Sequence, residues 1–352
     1  MPDGRRQDAS VNHSSAPLEL ETVLSPEWLS SALGAPVAEV SVTERIDNLA
    51  SKVRFRVAYK GAGRADGLDA FCVKGYFLPE SASWCNLGQL EVRFYRDLAP
   101  LVDVEVPTCV HAAIDDETGH GMIIMRDLVD ADCTFLTAMS PYSVDQVSQT
   151  LRELAKLHHS DPTSCPSGTD WLTPRLGGYL GVMSQERLQE LLDDGRAIDL
   201  PTEIVDAGRI RSAFSALAGW ASENPDSVIH GDAHAGNLYL TPSGTPGLID
   251  WQVLQLGPWV LDFAYHVAAV LDVADRERNE RSLLVDYLSI RTSMGDDMPS
   301  LDDAWDMYRN ALIYGYYMWS ITHRVEVPIR NMFCTRLGSA VAFHETLSRL
   351  GA

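Results

Sequence analysis

Residues 227–252 read SVIHGDAHAGNLYLTPSGTPGLIDWQ. This stretch interrupts a helical region with two short strands, NLYL and GLID, around the turn Thr241-Pro242-Ser243-Gly244. His230, Asp232 and Asn237 stand as H-x-D-x-x-x-x-N, and Asp250 follows thirteen residues after Asn237. A tight hairpin from Asn237 to Asp250 brings its ends side by side, close enough for a carboxamide and a carboxylate to share one ion. Asp232, on the loop just before, points at the same space. The donors are all oxygen, with no Cys among them, which favours Mg²⁺ over zinc. An ion held by so few protein groups is usually completed by substrate phosphates and water.

Outward from this stretch the chain divides in two. On the near side, Ser143 and Gln146 form a capping box, and Val147, Leu151, Leu154 and His158 follow at helical spacing. From there to the end the pattern is mainly helical. The N-terminal part reads differently. Residues 1–17 are polar and aperiodic, a flexible tail. Ser25, Pro26 and Gly34 bound a short helix over 25–34. Strands follow at 40–46, 53–59 and 69–77, with turns at 47–52 and 60–68. Asn86 caps a helix over 86–99, whose stripe is Leu87, Leu90, Phe94 and Leu98. Two more strands lie at 106–115 and 120–128. The expected fold is α+β: a small antiparallel-sheet lobe with one helix, then a large, mainly helical lobe.

Composition bounds the function. The 352 residues carry 28 Lys+Arg and 49 Asp+Glu, a net charge of −21. Such a surface repels phosphate backbones and anionic headgroups, so no nucleic acid and no membrane is expected as partner. No apolar run approaches the roughly 20 residues of a membrane-spanning helix. The six cysteines are scattered with no CxxC pair, so a reducing cytoplasm is the expected compartment.

HGDAHAGN and LIDWQ resemble the catalytic segment of the aminoglycoside phosphotransferase and choline kinase-like families, within the larger protein-kinase-like fold. The WQ ending is also similar to ecdysteroid-kinase-like phosphotransferases. The resemblance implies a two-lobed kinase-like fold, with a nucleotide-binding N-lobe over 18–127 and a C-lobe over 128–352 holding the catalytic loop and acceptor pocket. It implies transfer of the γ-phosphoryl group of ATP or GTP to a hydroxyl of a small molecule. That acceptor would be an antibiotic (aminoglycoside, macrolide or nucleoside) or another metabolite alcohol, and the enzyme a monomer or homodimer. Asp232 would take or orient the acceptor's proton, and Asn237 and Asp250 would hold Mg²⁺. Lys74 would neutralise the α- and β-phosphates, and Glu91 would hold Lys74. Read alone, Lys74 is an ordinary strand-end lysine and Glu91 a solvated helix residue. Cys72 lies on Lys74's face, where an adenine could lie.

The turn that covers phosphates in protein kinases is glycine-rich. Here it is DNLASK (47–52), without glycine. Ser51 offers a hydroxyl or N–H to a phosphate, or is plain turn chemistry. Backbone groups around Met125 to Asp127 would bond the nucleobase edge. Met122 and Met125 either pack on its ring or fill the core. His230 is expected to brace the loop, and His234 to orient it or touch phosphate or metal water. Asp262 is expected to bond loop backbone or cap the helix after it.

The acceptor remains open. Asp296, Asp297, Asp302, Asp303 and Asp306 could receive a cation, but read more simply as a solvated helix start. Trp305, Tyr308, Leu312, Tyr316 and Trp319 repeat at helical spacing, more often core than pocket. Asp250 is followed by Trp251-Gln252 instead of Phe-Gly, and there is no A-P-E, which argues against protein kinase activity. Two other classes compete. One is a nucleotide-binding pseudokinase scaffold. The other is a metal-dependent hydrolase using His230, Asp232, His234 and Asp250, which requires two histidines on one metal.

Overall fold

The computed structural model describes residues 15–61, 68–166 and 168–352. The expected tail up to residue 14 and most of the expected turn at 60–68 lie outside the described residues. The chain forms two compact units. One is made of the described residues up to Arg96 together with Thr108–Asp127, the other of Asp97–Pro107 and Leu128–Ala352. Residues 97–107 join the larger unit because their backbone is tied there. The Glu105 N–H donates to Glu153 Oε2 at 2.8 Å, and the Leu248 N–H donates to the Glu105 carbonyl at 3.0 Å.

The smaller unit begins with two short helices, α1 (Leu20–Val23) and α2 (Pro26–Leu33). Ser25 caps α2 by accepting the Trp28 N–H at 3.2 Å, and Gly34 closes it at φ +67°, a conformation that glycine adopts without strain. Strands β1 (Val37–Asp47), β2 (Ser51–Tyr59) and β3 (Asp69–Gly75) follow. Helix α3 (Gly88–Arg93) then precedes β4 (Cys109–Ile114) and β5 (Gly121–Arg126). The antiparallel sheet runs β1-β2-β3-β5-β4. One face is covered: Val53, Phe55, Val57, Phe71, Val73, Met122 and Ile124 pack with Trp28 and Leu29 into the core of this unit. Alternation places Lys52, Arg54, Cys72, Lys74 and Met125 on the other face. The expected tail ends earlier than residue 17. The ring of His111 hydrogen-bonds the Ser15 carbonyl at 2.8 Å, and that of His120 the Ala16 carbonyl at 3.0 Å.

The helix expected at 86–99 is a longer and less regular run. A 3₁₀ segment over Pro79–Leu87 leads into α3, and a π turn (Phe94–Leu98) and a 3₁₀ turn (Ala99–Leu101) follow it. Asn86 therefore lies inside the run and does not cap it.

The larger unit holds β6 (Thr134–Phe135), α4 (Val144–His159), α5 (Leu176–Tyr179), α6 (Gln185–Leu191) and α7 (Ala207–Glu223). After these come β7 (Ser227–Ile229), β8 (Leu238–Leu240), β9 (Pro246–Leu248) and β10 (Gln255–Gly257). It ends with α8 (Val260–Val270), α9 (Val273–Met294), α10 (Leu301–Ala311), α11 (Ile313–Ile321), α12 (Val327–Phe343) and α13 (Thr346–Arg349). Ser143 and Gln146 close the expected capping box on α4. Strands β7 and β10 pair, and β8 pairs with both β6 and β9. Helix α8 is buried along its whole length. Tyr308, Leu312, Tyr316 and Trp319 are buried, so the aromatic stripe is core except at Trp305, which is half-buried. The aspartates at 296–306 form no free cluster: Asp296 pairs with Arg291 and His159, Asp302 with Arg281, and Asp306 with Arg309 and Arg349. No helix among the described residues is long and apolar enough to cross a membrane.

Candidate active site

In the smaller unit Lys74 Nζ lies 2.8 Å from Glu91 Oε2, and the two side chains are 5% and 4% exposed. A buried lysine is tolerable only with such a partner. The partner arrives because α3 sits unusually close to β5: a Cβ on Gly88 would fall 2.5 Å from the Gly121 carbonyl oxygen. Cys72 lies beside Lys74 with its thiol pushed up to about 11. Burial and the Asp127 carboxylate raise it, while Lys52, Lys74 and Arg54 oppose them. Met125 pairs across from Cys72 on this face, whereas Met122 is in the core on the other. Ser51 shares the covered face with Val53, so a hydroxyl contact to a phosphate beside Lys74 would have to come from the wrong side of the sheet. Asp127 is already engaged. Its carboxylate accepts from Arg54 Nε at 2.8 Å, and its N–H donates to the Ala70 carbonyl at 3.1 Å. The Arg126 N–H is likewise taken, by the Thr108 carbonyl.

In the larger unit one loop carries His230, Asp232, His234 and Asn237, held from beneath by α8. Asp262, fully buried, accepts the His230 N–H at 2.6 Å and the Gly231 N–H at 2.8 Å. It thus bonds loop backbone, and it lies inside α8 instead of capping it. The rear of Asp262 is braced by a chain of buried groups. Arg291 donates to the Tyr287 hydroxyl, which bonds His158 Nδ1 at 2.6 Å, and His158 Nε2 bonds Asp262 at 3.1 Å. Gly231, at φ +82°, has no room for a side chain, since a Cβ would sit 2.6 Å from the Val253 carbonyl oxygen.

Asp232 receives three donors. Tyr265 donates to Oδ1 at 2.9 Å, Asn237 Nδ2 donates to Oδ2 at 2.9 Å, and His234 Nε2 lies 3.4 Å from Oδ2. Burial pushes this carboxyl up, but His234, His230 and the Tyr265 hydroxyl outweigh it and hold Asp232 below the ordinary aspartate range. His230 accepts the Asp232 N–H on Nδ1 and bonds the Ile249 carbonyl through Nε2, so both ring nitrogens are spent on bracing the loop. His234 accepts the Gly236 N–H on Nδ1, and its ring packs against Trp319 and Phe333. The hydrolase reading needed two histidines free for a metal, and among the described residues no three His, Cys, Asp or Glu side chains are grouped to hold one.

Asn237 donates through Nδ2 to both the carbonyl and the carboxylate of Asp232, which leaves its Oδ1 as an acceptor for another group. The hairpin register sets Leu238 against Leu248, and the Ile249 N–H donates to the Asn237 carbonyl at 3.0 Å. Asp250 follows directly, with its backbone at φ +68°. A non-glycine residue there costs roughly 1–3 kcal/mol, the kind of strain that persists at functional sites. An amide oxygen and a carboxylate flanking one hairpin suit a hard cation that takes its remaining ligands from phosphates and water.

The profile of the phosphotransferase enzyme family matches residues 77–301, which takes in Glu91 and the whole loop and hairpin. The chain belongs to this phosphotransferase family. It is an enzyme that transfers a phosphoryl group to an alcohol. Among curated protein sequences, none matches the phosphotransferase significantly. Among solved structures, a spectinomycin phosphotransferase in complex with ADP and spectinomycin superposes with a TM-score of 0.50 at 12% identity, covering 92% of this chain and 97% of the other. An ethanolamine kinase of Plasmodium vivax gives a TM-score of 0.50 at 12% identity, covering 87% and 83%. These likenesses show the fold of the phosphotransferase, a protein-kinase-like one.

Sequence reasoning passed over Tyr265, His158 and Arg54. For Tyr265 a signal existed. Asp262, Tyr265 and His266 stand at i, i+3 and i+4 of an apolar helix, which puts three polar groups on one buried face. All three touch the loop, His266 through the Ala233 carbonyl at 2.8 Å. His158 lies in the apolar stripe of α4, and nothing local marks its partner Asp262, 104 residues away.

Proposed function

We propose that this phosphotransferase moves the γ-phosphoryl group of ATP or GTP onto a hydroxyl of a small molecule, either an antibiotic such as an aminoglycoside, macrolide or nucleoside, or another metabolite alcohol. The observation that carries the reading is the hold on Asp232. Its carboxylate is kept ionised and aimed by Tyr265, Asn237 and His234, on a loop whose backbone Asp262 fixes. A carboxylate kept this acidic is a weak base. Its task is to hydrogen-bond the acceptor hydroxyl and line up its oxygen, accepting the proton late.

Asn237 Oδ1 and Asp250 would hold Mg²⁺, which when bound neutralises charge on the phosphates. Lys74, presented by Glu91, would take a nucleotide's α- and β-phosphates. Cys72 and Met125, paired across β3 and β5 on the face of Lys74, offer the base a flat apolar surface. With this division of labour, catalysis comes from positioning and charge stabilisation. The six unpaired thiols fit a reducing cytoplasm as its place of work.

The test is direct. The protein is incubated with ATP or GTP, magnesium chloride and a panel of alcohols, and the products are weighed by mass spectrometry. One acceptor should gain one phosphate, and Asp232→Ala should abolish the gain. Nucleotide binding without transfer to any acceptor, in wild type and variant alike, would favour a scaffold instead.

A further inference from the structure

Lys52 and Lys74 are direct partners in the β2–β3 ladder. Like charges set opposite each other across an antiparallel pair, with Cβ atoms about 5 Å apart, destabilise a sheet. Three other cations of this sheet have carboxylate partners. Lys74 has Glu91, Arg54 has Glu44 and Asp127, and Arg126 has Asp69. The Lys52 side chain has no ion pair or hydrogen bond among the described residues, although it is partly buried. On its other side, where β1 could offer a carboxylate, it faces Ile46. In a chain with a net charge of −21, an acidic partner is not scarce. Of the two opposed lysines only Lys74 has a carboxylate partner, so Lys52 brings an uncompensated ammonium group beside it, on the face that also carries Cys72 and Met125.

We propose that Lys52 is a second phosphate-binding cation, gripping the nucleotide polyphosphate together with Lys74, at a turn whose sequence supplies no glycine-rich loop. This rests on the nucleotide-dependent reading above. A glycine-rich turn offers phosphates a nest of backbone N–H groups. The turn DNLASK has no glycine, and its Ser51 hydroxyl faces the covered side of the sheet. An ammonium group one strand over from Lys74 supplies by charge what such a turn supplies by backbone.

The test uses isothermal titration of the full chain with magnesium chloride throughout. The probes are whichever of ATP and GTP wild type binds more tightly, its bare nucleoside, and inorganic tripolyphosphate. Lys52→Ala should weaken the triphosphate and tripolyphosphate by roughly tenfold or more, the worth of one charged hydrogen bond, and leave the nucleoside unchanged. Lys52→Arg should stay within a few-fold of wild type. Without ligand, Lys52→Ala should melt no lower than wild type, because a like-charge opposition is removed. Unchanged triphosphate binding in Lys52→Ala would overturn the proposal while leaving the nucleotide reading intact. Equal loss for nucleoside and triphosphate, with a lower melting temperature, would overturn it as sheet damage. Wild type that binds neither triphosphate would sink the nucleotide reading itself, and this proposal with it.

Discussion

Gly88 and Gly121 meet backbone to backbone: a Cβ on Gly121 would lie 2.6 Å from the Gly88 carbonyl carbon. This contact sets how closely α3 approaches β5, and so whether Glu91 reaches Lys74. Gly121→Ala should lift α3, cost about 1–3 kcal/mol of stability through overpacking, and raise the nucleotide KM roughly tenfold or more. Denaturant titration and steady-state kinetics check both. An unchanged KM would mean that the spacing of α3 is irrelevant to Lys74.

Tyr265 and Asp232 should separate in their kinetics. Asp232→Ala should lower kcat by about 10²–10⁴, the usual worth of a general acid–base group. Tyr265→Phe removes one donor to Oδ1 and should cost far less. It should also move the acid limb of the kcat profile to higher pH, because the Tyr265 hydroxyl helps hold the Asp232 carboxyl down. An acid limb at the wild-type position would show that this hydroxyl does not tune Asp232.

Metal dependence should follow the oxygen donors. Chelation should abolish turnover, magnesium should restore it, and Asp250→Ala should not respond to magnesium at wild-type concentrations. Turnover by Asp250→Ala equal to wild type would remove Asp250 from the metal site.

Acid should weaken the fold well before its carboxylates titrate. Burial lowers His266 to about 4 from the ordinary 6.5. Between those values the unfolded chain binds more protons than the folded one, so stability falls as pH falls through this window. From His266 alone the loss by pH 4 is about 3 kcal/mol. His158, His120 and His111 are shifted the same way, each chiefly by burial. Urea titrations at pH 7 and pH 4.5 measure the slope, and His266→Gln should flatten it. An equal slope in the variant would assign the loss to other groups.

Asp262→Ala should be among the most destabilising single changes. It strands two buried loop N–H groups and His158 without their acceptor, a cost of roughly 3 kcal/mol or more. Unfolding by denaturant would show it, and a change of under 1 kcal/mol would mean that water replaces the carboxylate.

The architecture was legible because its signals are local. Alternation in VRFRVAY, the Ser143–Gln146 box and the Ser25–Gly34 boundaries each state their element within a few residues. The loop and hairpin were legible because their polar residues keep fixed spacing. What escaped depends on distance in the chain. The run near Glu91 is made of 3₁₀, α and π turns and meets Gly121 at Gly88, and no property of residues 79–101 announces that neighbour. Which face the Ser51 hydroxyl takes depends on strand phase carried back through the turn. Counting alternately from Phe55 puts its side chain with the core. The backbone N–H groups of Arg126 and Asp127 are spent on acceptors remote in the chain, Thr108 just before β4 and Ala70 in β3.

The left-handed backbone at Asp250 has a practical bearing on how an inactive form should be made. Asparagine adopts that conformation at least as readily as aspartate, whereas alanine resists it and a β-branched residue more so. Asp250→Asn therefore removes the charge and keeps the hairpin, so it is the substitution to choose for trapping nucleotide and acceptor together in a crystal.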